Sequence, residues 1–232
     1  MKLAFSTLGC PEWGWDDVLS AASDLGYDGV EIRGLSNELY APSIPEFTHR
    51  HIGETKERLA RLHLSIPCLA SACVFGAEAG YHSALAEGRA YIDTAKALGA
   101  EFVRVMCEGT AAPEKNVDTS LVKKALCELG AYAAPRGVTV LLETNGWYAD
   151  SARLAGLYSE IEEPGLGILW DVHHPYRFFG EQPADTIGRI GKWVRYIHIK
   201  DSVIEDGRVR YRMLGEGNMP TIDFLRALDD IG

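Results

Sequence analysis

Val140-Leu141-Leu142-Glu143-Thr144-Asn145-Gly146, Ile168-Leu169-Trp170-Asp171-Val172-His173-His174 and Arg195-Tyr196-Ile197-His198-Ile199-Lys200-Asp201-Ser202 decide how the chain is read. Each carries a short apolar run that closes on a residue able to bind a proton or a cation. Runs of this length, bounded by polar residues and glycine, fit strands of a parallel sheet buried on both faces. Each position alone has a bland explanation. Glu143 fits a strand end that reaches solvent, a lone core histidine such as His198 is ordinarily structural, and one of His173 and His174 fits a solvated loop. Yet a buried lone carboxylate costs several kcal/mol unless it is paired or metal-bound. Glu143, Asp171 and His198 recur about one βα unit apart. Carboxylate oxygen and imidazole nitrogen both suit divalent ions. The three together therefore read as one metal site. Period two puts Tyr196, His198 and Lys200 on one strand face.

Working outward, further strand candidates cover residues 3–7, 29–33, 65–70 and 102–106, beside 138–143, 167–171 and 195–200. Segments of helical period lie between them, among them 15–25, 54–62, 84–98, 120–134 and 222–231. Gly26, Gly99 and Gly137 each precede a strand, where a helix end favours a left-handed residue. Asp16 and Asp118-Thr119-Ser120 are helix-start candidates.

Repeated βα units imply a parallel sheet, either open or closed. An open dinucleotide-binding sheet should carry G-x-G-x-x-G after its first strand. Here Thr7-Leu8-Gly9-Cys10-Pro11 follows instead. Glu31, Glu143, Asp171 and His198 fall at C-terminal strand ends, which converge on one face of a barrel. The expectation is an α/β fold of the TIM (β/α)8 type in a single domain over residues 1–232. Only seven strands can be counted, and the last helix leads into Gly232. The expectation is that the chain is truncated before strand eight.

The chain has 232 residues, 47% of them hydrophobic, and a formal charge of −10. Nucleic-acid affinity rests on Lys and Arg meeting phosphates, so no nucleic-acid partner is expected. No apolar run is long enough for a membrane span. The N-terminus lacks a leader-like stretch, which suggests the cytoplasm. Five cysteines without a C-x-x-C pair fit free thiols.

Weaker candidates surround the main three. Glu31, in Val30-Glu31-Ile32-Arg33, fits substrate binding or an ion pair with Arg33. Cys107 reads as a small buried thiol. Glu216, in Leu214-Gly215-Glu216-Gly217, fits either a substrate contact or a surface turn. Lys200 shares the His198 face and is a further substrate-contact candidate. Trp13, Trp15, Trp147 and Tyr148 suit a sugar-facing wall or core packing equally.

Five stretches carry a resemblance over nearly the whole chain: Gly26-Tyr27-Asp28-Gly29-Val30-Glu31-Ile32, Leu142-Glu143, Asp171-Val172-His173-His174, His198-Ile199-Lys200-Asp201 and Leu214-Gly215-Glu216-Gly217. In their order and spacing they resemble the sugar-phosphate isomerase/epimerase group of xylose-isomerase-like barrels. The resemblance implies one divalent ion (Mn, Mg, Co or Zn) held by Glu143, Asp171 and His198. It implies that His174 binds and polarises a small carbohydrate substrate. It also implies a fourth ligand, a glutamate at the end of strand eight, which this sequence does not supply. The implied chemistry is isomerisation or epimerisation through an enediolate, with Glu143 or the strand-eight glutamate moving the proton. A homo-oligomer would be in keeping with the family. Three other readings share the barrel: a 3-dehydroshikimate-dehydratase-like lyase, a non-catalytic sugar-binding protein, and an endonuclease-IV-like nuclease. The nuclease needs further ligands, but Val209-Arg210-Tyr211 stands where its Asp-x-His would be, and Cys107 lies near its strand-four histidine.

Overall fold

A computed structural model describes residues 1–114 and 116–229. Seven parallel strands follow one another in chain order: β1 (Ala4–Ser6), β2 (Gly29–Glu31), β3 (Cys68–Val74), β4 (Phe102–Met106), β5 (Thr139–Glu143), β6 (Leu166–Asp171) and β7 (Val194–His198). β3 to β7 form one five-stranded sheet, and β1 pairs with β2. Parallel bridges Gly29↔Ser65 and Ile32↔Leu69 join the two. Helices α1 (Trp15–Asp24), α2 (Ile52–Arg61), α3 (Tyr81–Leu98), α4 (Thr119–Ala133), α5 (Ser151–Ser159), α6 (His173–Phe179) and α7 (Pro183–Ile190) return the chain between strands, with α6 and α7 both between β6 and β7. An antiparallel pair, β8 (Asp201–Glu205) and β9 (Arg208–Arg212), then precedes α8 (Thr221–Asp229). None of the described helices is long and apolar enough to cross a membrane.

Alternation along the strands explains the layering. Val30, Ile32, Val103, Val105, Val140, Leu142, Ile168 and Trp170 belong to the main apolar cluster, with Val18, Leu19, Ile92, Leu126 and Leu154 from the helices. The intervening residues point the other way, into the barrel. Phe102 of β4 meets Tyr196 of β7 across that interior, ring centroids 5.8 Å apart. Two residues further along β4, β5, β6 and β7 come Arg104, Glu143, Asp171 and His198. An apolar floor thus carries a layer of ionisable groups above it, at the C-terminal strand ends.

Several local expectations need correction. Asp16 does not cap α1: Gly14 holds the cap position, and Asp16 lies in the first turn, paired with Arg58. Asp118 does cap α4, accepting from the backbone N–H of Ser120 and Leu121. The third strand begins at Cys68 rather than 65, just after Pro67, which has no N–H for a ladder. The seventh strand ends at His198 rather than 200, because the chain turns out at once into β8. Sequence reading missed β8 and β9 altogether. Their turn is Asp206-Gly207, with φ of 51° and 70°, and an Asp-Gly pair between β-forming residues is a strong hairpin signal. The end of the helix expected over 222–231 lies outside the described residues, as does anything expected to follow it. No pairing joins β7 to β1 among the described residues.

Candidate active site

Glu143, Asp171 and His198 close β5, β6 and β7. In register, Asp171 lies opposite His198, while Glu143 lies opposite Leu169, two residues before Asp171. One ligand-capable atom from each of the three lies within 4.8 Å of the others. His198 Nδ1 is 3.9 Å from Glu143 Oε1 and 3.8 Å from Asp171 Oδ2.

Each of the three has its other polar atom anchored. His198 Nε2 donates to Glu31 Oε2 at 2.8 Å, which leaves the Nδ1 lone pair for the common centre. Asp171 Oδ1 accepts the backbone N–H of His173 at 3.0 Å. Glu143 Oε2 faces Arg104 Nε at 3.2 Å. One atom of each side chain is fixed outward, and the other faces the shared point. The inward Asp171 Oδ2 is fully buried, and the charged group against it is the Lys200 ammonium. A donor set of two carboxylate oxygens and one imidazole nitrogen fits a divalent ion.

Positive side chains already lean on this centre. Lys200 forms an ion pair with Asp171 Oδ2 and lies 3.4 Å from His174 Nε2. The Lys200 ammonium is the charge that a buried carboxylate requires. His174 donates its Nδ1–H to the Thr144 carbonyl at 2.8 Å, which turns its Nε2 toward Lys200 and Asp171. His174 Nε2 is also 3.7 Å from Asp171 Oδ2. Burial alone would raise the Asp171 carboxyl, but His174, Lys200 and His198 hold it well below the usual carboxylate range. Burial likewise works against the charged form of Glu31, and His198, then Arg104, bring its pKa below normal. Burial would lower the His198 imidazole, yet Glu31, Glu143 and Asp171 raise it.

Sequence reasoning placed some neighbours differently. Glu31 does not pair with Arg33; its partner is His198. Neither histidine of the pair at 173 and 174 is solvated. His173 is fully buried, its Nε2 lies 3.0 Å from Ser202 Oγ, and burial pulls its pKa down to about 4. Glu216 is exposed, outside the cluster. Its turn is organised by Asp201, a buried carboxylate accepting backbone N–H bonds from Ser202, Gly215, Gly217 and Met219. Cys107 is fully buried, and burial first, then Glu108, pushes its thiol up. Trp15 and Tyr148 belong to the core, while Trp13 is 44% exposed. Arg104 and Asp201 escaped sequence reading. Arg104 has a signal, as a charge amid Val103 and Val105, whereas Asp201 carries none beyond its place at the end of His198-Ile199-Lys200-Asp201.

A family model described as a xylose isomerase-like TIM barrel matches residues 19–232. An inosose isomerase from Halalkalibacterium halodurans is 30% identical over 161 residues, which is 64% of this chain and 54% of that protein. The match thus spans just over half of the relative's length. A fructoselysine 3-epimerase from Shigella flexneri is 25% identical, covering 100% of this chain and 87% of its own. Among solved structures, an IolI protein with a bound zinc atom superposes with a TM-score of 0.80 at 23% identity, over 100% of this chain and 86% of that one. At that identity the likeness speaks for the fold.

Proposed function

Because this chain belongs to the xylose isomerase-like TIM barrel family, whose members among its relatives are an isomerase and an epimerase, we propose that it is a divalent-metal-dependent isomerase or epimerase of a small carbohydrate. The observation that carries the reading is the shared centre of Glu143 Oε1, Asp171 Oδ2 and His198 Nδ1, each on a side chain anchored elsewhere. These three residues would hold the ion. When bound, it would supply Lewis-acid polarisation of the substrate's oxygens.

The rest falls to the chain's own groups. Glu143 is the carboxylate placed to take a proton from the carbon beside a carbonyl. Return of the proton by Glu143 to the neighbouring carbon isomerises, whereas epimerisation requires a second proton donor on the opposite face of the enediolate. His174 is held by Thr144 with Nε2 turned to the site, ready to meet a substrate oxygen. Lys200, at the rim, offers a second cation for developing negative charge. Glu31 acts through His198 by fixing its tautomer. Glu216 has no part in this arrangement. The shared centre involves one cluster of three possible ligands among the described residues, which suits one ion and not a three-metal nuclease.

The test is a screen of ketoses, aldoses and their phosphates with Mn²⁺ in deuterated water, followed by NMR. The expected result is metal-dependent exchange of a hydrogen beside the carbonyl of at least one sugar, with formation of its isomer or epimer. Absence of exchange on every sugar, from a protein shown to bind the ion, would overturn the reading.

A further inference from the structure

Arg104 sits mid-strand in β4, between Val103 and Val105, and is 5% exposed. A guanidinium is an expensive group to bury, because it loses its hydration unless ions and acceptors replace it. Its replacements lie on two neighbouring strands. On the β3 side, Nη1 donates to the Ser71 carbonyl at 2.9 Å. Ser71 Oγ donates back to the Arg104 carbonyl at 2.7 Å, and also accepts the backbone N–H of Cys73 at 3.2 Å. On the β5 side, Nε lies 3.2 Å from Glu143 Oε2. That contact is an ion pair outside good hydrogen-bonding geometry, so the buried Nε–H has no other acceptor. Glu143 is thus the ion-pair partner of this guanidinium, whose charge also acts on Glu31.

The two oxygens of Glu143 consequently face different surroundings. Oε2 faces Arg104, and Oε1 lies 3.8 Å from His174 Nδ1 and 3.9 Å from His198 Nδ1. We propose that Arg104 is a positioning residue, which holds Glu143 by Oε2 so that Oε1 is the oxygen presented to the cation centre. The inference rests on the metal reading above. A carboxylate at the end of two rotatable bonds can turn either oxygen, or both, toward an ion. A planar guanidinium tied to Ser71 removes that freedom, because its fork can span two strands at once. A lysine ammonium has the charge but no planar fork with which to span both.

That difference separates positioning from simple charge balance. Mn²⁺ is titrated by calorimetry into the wild type, Arg104→Lys and Arg104→Met, and Co²⁺ absorption spectra are recorded on the same proteins. The visible Co²⁺ bands report the ligand set. Loss of an outer partner commonly weakens metal affinity by about 10–100-fold. Both variants are expected to bind Mn²⁺ at least about tenfold more weakly, with altered Co²⁺ bands and a preserved cooperative thermal transition. Arg104→Lys with wild-type affinity and wild-type bands would overturn the proposal and leave the metal reading standing. A wild type that takes up no ion would overturn both. Should Arg104→Met fail to fold, Arg104→Lys decides, since it keeps a buried positive charge.

Discussion

Glu143 is held between Arg104 and the shared centre, so a substitution there has two consequences. Glu143→Gln removes the carboxylate proposed to transfer the proton and also leaves the Arg104 guanidinium buried without its ion-pair partner. Turnover should disappear. Stability should fall by about 3–5 kcal/mol, the usual cost of breaking one half of a buried pair. Urea unfolding checks this, and adding Arg104→Met should return part of the loss, since neighbouring substitutions in one ion pair do not add. Near-normal activity of Glu143→Gln would remove Glu143 from its proposed role. Single residues were unequally readable in the sequence. Glu143, Asp171 and His198 stood out because strand ends of one kind recurred. The Glu31–His198 bond joins residues 167 apart, and nothing local could have announced it. Arg33, two positions from Glu31, was the natural sequence partner and the wrong one.

Among the elements, the segment from β8 to α8 turns on one buried carboxylate. Asp201 gathers four backbone N–H groups, and a Cβ on Gly217 would stand 1.9 Å from its Oδ1. Burial would raise the Asp201 pKa, but the backbone N–H bonds from Met219, Gly215, Gly217 and Ser202 bring it below its ordinary value. A carboxyl depressed in the folded state contributes stability above its unfolded pKa of about 3.9. That contribution is lost as pH falls toward the folded value. Asp201→Asn should therefore lower the urea midpoint clearly at pH 7. The gap from the wild type should narrow as pH falls below about 4. A gap that stays constant between pH 7 and pH 3 would contradict the account. The hairpin itself was legible in Asp206-Gly207, whereas the four-fold use of Asp201 required the fold.

For the whole molecule, the alternation of apolar runs and helical periods was enough to order the parallel strands, because each βα unit is a local pattern. β4 was placed to the residue, at Phe102–Met106. Strand edges slipped where a proline or an abrupt exit intervened, as at Pro67 and after His198. Long-range ion pairs, inward or outward facing, and the Arg104–Glu143 contact among them come only from bringing strands together. The central claim is that this convergence makes one cation site at the C-terminal strand ends. Crystals of the protein soaked in Mn²⁺ and measured for anomalous scattering test it most directly. The account expects one strong peak per chain among Glu143 Oε1, Asp171 Oδ2 and His198 Nδ1, absent from Asp171→Asn; a peak elsewhere, or none at this point, would contradict it.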